Sequence, residues 1–473
     1  MSRTASHQET TSITRLAAWT LNDDPAYRSA PVLRQANLLV LDTLGCALAG
    51  AASETARRAL AVAEELGGRP ECTIIGAPAK TSVLNAVFAN GALVRALDFN
   101  DVTFAEKDGK LSVAGHCSDN IPVALAVAER SGSSGRAMLE AIAMGYQLFG
   151  RLREVMRFSS NWDNTSISGL VAAAMAGRLM GFDEVRQSHG LALAATRCAT
   201  PKIVRWGAIS AVKNLANALV AQSGVQAALL AHKGITGPIE VLDHVGGTRS
   251  IFDPELGFDR LWAPVLAVPI IMTANVKSFP CIGTAQTLIV AALDAHGKLR
   301  GRIDDIERIE VIMADVPMVK NQQGERTRRY PTTHEEADHS FTFLPGVVLC
   351  DGELTLRQYQ NERWLQPPMR RLIDKVELMT SGDLNVRAPG SMPCRLRVVL
   401  SGGDAIVSEC LYPPGHSFPE KGLDQKVVGD KFREVTHGLL SSQQADIIDD
   451  MVMHLDTAAS VAPVLDKLRA LNV

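Results

Sequence analysis

The sequence predicts a mainly α protein, with one large all-helical domain formed by both chain ends and a smaller α+β domain inserted between them. Three observations carry this expectation. Apolar residues recur with helical spacing through most of the chain up to Val276. Aromatic residues make up only 5% while Ala, Leu and Val abound, which suits closely packed helices better than a β-sandwich. Past Thr284 the pattern turns to alternation, and after Tyr412-Pro413-Pro414-Gly415 it returns to helical spacing. The expected boundaries are therefore 10–275 and 412–473 for the two parts of the helical domain, with 276–411 as the insertion.

In chain order, Ser12–Leu21 reads as a short helix behind a polar tail. The run from Val32 to Cys46 has strong helical periodicity, and Ala56–Leu66 forms a further helix that stops at Gly67-Gly68. Glu71–Gly76 fits a short extended piece. Ser82–Leu97 is an apolar helix, followed by a Lys/Gly/Ser-rich loop over Thr103–Gly115. From Ile121 to Leu230 the text is almost wholly helical, with small residues on its apolar faces, as in Gly169–Gly177. Thr284–His296 is a helix. Ile306–Ile312, Lys375–Met379, Arg395–Leu400 and Ala405–Cys410 read as strands, the last two joined by a Ser401-Gly402-Gly403-Asp404 turn. Gln425–Leu439, Ser442–Met453 and Ala459–Leu471 close the chain as helices.

The 473 residues carry a formal net charge of −3 and are 46% hydrophobic, which gives no electrostatic case for nucleic acid or an anionic membrane as partner. Eight cysteines are scattered without a CxxC pair, a spacing that suits neither a disulfide framework nor a zinc or iron–sulfur centre. Together with an N-terminus lacking an apolar signal core, this predicts a reducing, cytoplasmic setting. The apolar run Val265–Val276 is short and broken by Pro269, so no membrane span is expected.

Chemistry concentrates between Ala96 and His116. Asp98 and Asp101 stand three residues apart, and if the helix runs through them both carboxylates share one face. With His116 they form a set suited to moving protons, although Asp at a helix end is often only a cap and a single His is often structural. Lys213 lies in an otherwise buried helix, where it either snorkels or faces a polar cavity, and Arg205 adds charge nearby. Lys277 precedes a Ser-Phe-Pro turn at the domain junction, where ligand sites often form, although on sequence alone a solvated loop lysine is the commoner case. Arg326, Arg328 and Arg329 read as a solvated loop, and Asp338-His339 as a structural contact or a catalytic pair. No HxH, HExxH or EF-hand pattern supports metal ligation. Nucleotide-binding glycine loops and a GxSxG elbow are missing as well.

In sequence order, the chain carries Leu41-Asp42-Thr43-Leu44-Gly45, then Ala96-Leu97-Asp98-Phe99-Asn100-Asp101. Arg205-Trp206-Gly207 with Ser210 and Lys213 follows, and Gly234-Ile235-Thr236-Gly237-Pro238 comes next. Lys277-Ser278-Phe279-Pro280, Ala285-Gln286-Thr287, Ala337-Asp338-His339-Ser340, Asp351-Gly352-Glu353 and Tyr412-Pro413-x-Gly415-His416 complete the set. In this order and over nearly the whole chain, it resembles the 2-methylcitrate dehydratase (MmgE/PrpD) family. The resemblance implies that the insertion is a lid, that the protein is a homodimer, and that it needs no metal or organic cofactor. It also implies small di- or tricarboxylic acids as substrates; members dehydrate, decarboxylate cis-aconitate or epimerise iminodisuccinate. The family's site falls on Asp98, His116, Lys213 and Lys277, with Asp101 as a further acid and Arg205, Asn164, His339 and Phe343 as substrate contacts.

Several positions depart from the family pattern. Val102 replaces a common Thr, Cys117 follows His116 in place of Pro, and the loop before it is long. Asn164 stands for a usual His, Phe343 for a usual Tyr, and no His occurs between Pro280 and Gln286. The expected activity is a cofactor-independent hydro-lyase acting on a 2-methylcitrate-like hydroxy-tricarboxylate through a carboxylate-stabilised carbanion. An epimerase or isomerase, a decarboxylase, and a non-catalytic carboxylate-binding dimer are the alternatives.

Overall fold

The computed structural model describes residues 10–107, 110–156, 161–197, 199–205, 209–248, 251–252, 259–262, 268–387, 390–418, 420–469 and 471. Trp206 and Gly207 of the Arg205 motif, and part of the Val265–Val276 run, lie outside them. So do the side chains of 104–114.

The first half is helical. Helices α1 (Ser12–Leu21), α2 (Ala30–Gly50) and α3 (Glu54–Leu66) precede a two-stranded ribbon of β1 (Cys72–Thr73) and β2 (Lys80–Thr81). Then come α4 (Val83–Arg95), the hairpin β3 (Val102–Lys107) and β4 (Lys110–Gly115), α5 (Ile121–Ser131), α6 (Gly135–Val155), α7 (Ser168–Leu179), α8 (Glu184–Ala195) and α9 (Val212–His232). Local chemistry sets many ends. Thr11, Ser82, Ser134 and Asp183 accept a hydrogen bond from a first-turn backbone N–H, and Gly67 and Gly132 close α3 and α5 with positive φ. The small residues act as expected: a Cβ on Gly224 of α9 would lie 2.3 Å from the Gly169 carbonyl oxygen of α7, so the two backbones nearly touch.

After the short α10 (Asp259–Trp262) and β5 (Ala274–Asn275), the character changes. Helix α11 (Gln286–Leu299) leads into β6 (Ile306–Ala314), followed by α12 (Pro317–Gly324), α13 (Arg326–Arg329), α14 (His334–Ala337), α15 (Phe343–Asp351) and α16 (Pro367–Asp374). Next are β7 (Val376–Ser381), α17 (Gly382–Arg387), β8 (Cys394–Leu400) and β9 (Ala405–Cys410). The sheet runs β7-β6-β8-β9, with β6 and β7 parallel and the other pairs antiparallel. Along β8, buried and half-buried residues alternate, so one face packs on α11 as the period-2 pattern requires. Helices α18 (Gln425–Val435), α19 (Ser442–Met453) and α20 (Ala462–Arg469) end the chain; α19 opens with a Ser441/Gln444 capping box.

Buried apolar side chains fall into two clusters. One gathers residues from Ile13 to Val276 with Leu423 to Leu471, and the other spans Cys281 to Cys410. Helix α2 is long and apolar enough to cross a membrane, yet it lies buried among α4, α6, α18 and α19 as a core helix. Its Asp42 carboxylate is held by Lys431 Nζ of α18 at 2.6 Å, an ion pair that joins the two chain ends inside the first cluster.

Two expectations change around the proposed site. The Ser82–Leu97 helix stops at Arg95, and Asp98 takes φ +47°, so Asp98 and Asp101 do not share a helix face. The segment expected as a loop over Thr103–Gly115 is the β3/β4 hairpin, and β3 also pairs with β5. Backbone pairing to β5 fixes the strand to the segment that delivers Lys277.

Candidate active site

Asp98 is the hub where the elements converge. It leaves the end of α4 with its N–H bonded to the Arg95 carbonyl and its side chain 2% exposed. Its Oδ1 takes the Arg95 guanidinium and Lys277 Nζ, the latter at 3.1 Å. Its Oδ2 lies 3.8 Å from Lys213 Nζ, from the start of α9, and 3.4 Å from His339 Nε2, just past α14. Lys277 Nζ also donates to the Asp98 carbonyl at 2.5 Å. From the C-terminal helices, Lys431 Nζ donates to the carbonyl of Phe99 at 2.7 Å and steadies the same turn. Burial alone raises the Asp98 pKa; the charges of Arg95, Lys213 and Lys277 outweigh it and hold the group well below the usual carboxylate range.

His116 follows β4. Its Nδ1–H donates to the Asp101 carbonyl at 2.5 Å, so Nε2 carries the lone pair; it has no hydrogen-bond partner among the described residues and lies 4.0 Å from Asp98 Oδ1. Burial, then the nearby charges of Arg95 and Lys277, lower its pKa well below that of a free imidazole, and the ring is neutral. Gly115 makes this placement feasible, because a Cβ there would stand 2.6 Å from Phe149 Cζ. Lys213 is pushed down to about 8 by burial, against the pull of Asp98 and Asp338. Its Nζ donates to His339 Nε2 at 3.2 Å, while His339 Nδ1–H is taken by Asp338. Burial and the Lys213 charge bring His339 down to about 4.

These groups face a cavity of about 280 Å³. Among the described residues its lining includes six cationic side chains (Arg95, Arg153, Lys202, Arg205, Lys213, Arg328) against two carboxylates, Asp98 and Asp163. Arg205 Nε donates to Asp163 Oδ2 at 2.6 Å. His116, Asn164 and His339 also line the cavity. The Asp98, Asp338 and His339 donor atoms lie within 4.8 Å of one another, a spacing that a metal would accept. The chemistry of the set points elsewhere, because Arg95 and Lys277 occupy Asp98 Oδ1, the Lys213 ammonium lies beside Oδ2, and the His339 N–H occupies Asp338.

Three of the expected site residues lie outside the cavity lining. The Asp101 carboxylate turns away from the cavity: its Oδ1 accepts from Ser118 Oγ at 2.6 Å and its Oδ2 from Tyr146 at 2.9 Å. Burial raises it to about 7 despite those bonds, and what it gives the site is its carbonyl, which aims His116. Phe343 packs in the second cluster against Tyr359 and Trp364, with ring centroids 6.0 and 6.3 Å away, because an apolar ring is satisfied there and a phenol would need a partner. Lys277 is 0% exposed, and its ammonium is bonded to both the carboxylate and the carbonyl of Asp98. Sequence reasoning missed Arg95, whose signal was a lone charge ending an apolar helix, and the cavity-lining Asp163, Arg153 and Lys202.

Comparison with known proteins agrees with the motif series. The MmgE/PrpD N-terminal domain profile matches residues 14–259 and the C-terminal domain profile residues 279–457. The chain is 26% identical to the cis-aconitate decarboxylase of Homo sapiens over 90% of its own length and 88% of that protein. It is 24% identical to the mitochondrial 2-methylcitrate dehydratase of Yarrowia lipolytica, covering 74% and 68% of the two chains. It is also 23% identical to the 2-methylcitrate dehydratase of Cupriavidus necator, covering 80% of each. With both domain profiles matched along one chain, the protein belongs to the MmgE/PrpD family.

Proposed function

We propose that the protein is a cofactor-independent lyase of a tricarboxylic acid and that its reaction is the removal of water from a 2-methylcitrate-like hydroxy acid. The observation that carries this reading is a neutral imidazole with its lone pair on Nε2 beside a buried ammonium, in a cavity whose lining is strongly cationic. A cationic wall suits a polyanion, and elimination of water needs a base together with an acid. His116 Nε2 takes the proton α to a carboxylate, and the electron pair left on carbon forms the new C=C bond. The C–O bond breaks as the Lys213 ammonium protonates the departing oxygen, which leaves as water. Charge building on the neighbouring carboxylate is held by Lys213 and Arg205. Asp98 binds Lys213, Lys277 and Arg95 in place rather than moving protons. Arg205, Asn164 and His339 contact the substrate.

Residues 276–411 act as an inserted lid over the two chain-end parts, 10–275 and 412–473. The two apolar clusters support this division, and the lid side supplies Lys277 and His339 to the site. A homodimer in a reducing, cytoplasmic setting belongs to the same proposal, and the seven described cysteines, all free thiols, fit it.

Decarboxylation is the second reading, favoured by the match to cis-aconitate decarboxylase over nine-tenths of the chain. In that reaction Lys213 returns a proton to carbon after CO₂ leaves, and no base is required. The test is turnover of 2-methylcitrate, citrate, cis-aconitate and iminodisuccinate without added metal, followed by proton NMR in deuterated water. Alkene from 2-methylcitrate is expected. Loss of CO₂ from cis-aconitate moves the assignment to a decarboxylase, α-proton exchange without alkene to an epimerase, and binding without any change to a carboxylate-binding dimer.

The pH dependence has a definite sign. The lowered pKa of Lys213 keeps the ammonium below about pH 8 and removes it above. kcat/KM should therefore fall about tenfold per pH unit on the alkaline side. His116, shifted well below its ordinary value, puts the acid limb well under the usual imidazole range. A profile still rising above pH 9 would exclude Lys213 as the acid.

A further inference from the structure

The sequence treats Arg326, Arg328 and Arg329 alike, but the structure separates them. Arg329 reaches the Asp374 carbonyl through Nη2 at 3.4 Å and the Tyr330 hydroxyl through Nε at 3.3 Å. Arg328 instead lines the cavity, with its side chain 14% exposed. Its Nε lies 3.3 Å from Glu325, a half-exposed carboxylate, and its buried Nη1 has no hydrogen-bond partner among the described residues. A buried guanidinium N–H left open is unfavourable unless something else takes it.

The backbone around Arg328 is pinned to the reactive cluster. The Arg328 carbonyl accepts from Ser340 Oγ at 2.6 Å, and the Arg329 carbonyl accepts from Thr342 Oγ1 at 2.7 Å. Ser340 directly follows His339, which sits against Lys213 and Asp98. Arg328 is therefore held in register with the reacting groups, although it stands on a four-residue helix. Three other cations of the cavity are held by carboxylates: Arg95 and Lys213 by Asp98, and Arg205 by Asp163. Arg328 lines the cavity with its Nη1 N–H unpaired among the described residues, and a planar guanidinium matches a carboxylate with two parallel N–H···O bonds.

We propose that Arg328 is a specificity-determining residue that binds one substrate carboxylate from the lid side, so that the site prefers tricarboxylates to dicarboxylates. This rests on the carboxylic-acid reading above and deepens it, by adding a recognition group that acts on binding and not on proton transfer.

The test uses the full chain and two unreactive probes, tricarballylate and glutarate, which differ by the central carboxylate. Binding is measured by calorimetry for wild type, Arg328→Met and Arg328→Lys, with kcat and KM for whichever acid is turned over. Arg328→Met should weaken tricarballylate about 10- to 100-fold and raise KM by a similar factor, with kcat nearly unchanged and glutarate affinity altered less than about threefold. Arg328→Lys should recover part of the affinity, because a point charge replaces the fork. Circular dichroism and the kcat itself report whether each variant is folded. Equal weakening of both probes, or unchanged tricarballylate binding in Arg328→Met, overturns the assignment, as does a wild type that binds neither probe. If wild type binds tricarballylate through Arg328 but converts no acid, the lyase reading fails while this one stands. If turnover is found and Arg328→Met leaves KM unchanged, the reverse holds.

Discussion

His116→Gln is expected to lower kcat by about a thousandfold, the size typical of removing a positioned general base, with little change in substrate affinity. The geometry makes the substitution specific. In the native site the Nδ1–H is spent on the Asp101 carbonyl, so only Nε2 can accept a proton. Glutamine can keep a donor for that carbonyl, yet it offers no nitrogen of comparable basicity. The measurement is steady-state kinetics together with washout of the α-proton into deuterated water. Both should disappear in parallel if His116 takes that proton. Full turnover in His116→Gln would remove the base from the mechanism and favour decarboxylation, which proceeds without one.

Helix positions were legible in the sequence because they rest on local signals. Helical spacing marked α1, α2 and α19, and in the structure Thr11 and Ser441 cap the first and last of these. The alternation of β8 and β9 was equally readable, since one face of that sheet is buried. The hairpin of β3 and β4 went unread although its signal is local, an Asp108-Gly109 pair between two alternating runs. Only its further pairing, Val102 with Asn275 of β5, lies too far along the chain to leave a local trace. Asp98 failed for a related reason: a left-handed residue past the end of α4 is set by the cations around it and not by helix propensity.

The site shows the same division. Residue type and motif order single out Asp98, His116, Lys213 and Lys277, and the structure gathers His116, Lys213 and Lys277 around the Asp98 carboxylate. Their roles were not readable, because roles depend on which atoms are already occupied. Lys277 looked available until its ammonium was seen bonded twice to Asp98. Asp101 looked like an acid until Ser118 and Tyr146 were found on its oxygens. Arg328 looked solvated until its buried Nη1 was found without a partner among the described residues.

Asp98→Asn should be the most destructive single substitution for the fold around the site. Asparagine tolerates the left-handed φ of +47°, so backbone strain is not the cause. The charge is. The native carboxylate compensates the buried Arg95, Lys277 and Lys213, and a neutral amide leaves these cations facing one another without water. Removing one partner from such a buried network costs about 3–5 kcal/mol, which should appear as a lowered urea midpoint. Activity should fall as well, for a reason that pH can expose. Without Asp98, the attraction that keeps Lys213 protonated against its burial is lost, so any residual activity should have its alkaline limb shifted to lower pH. Adding Lys277→Met in the Asp98→Asn background removes one of the stranded charges and should restore part of the stability, a non-additive result expected only if the two residues act as a pair. Additive losses in that double mutant would mean that Asp98 shapes the turn through its backbone alone.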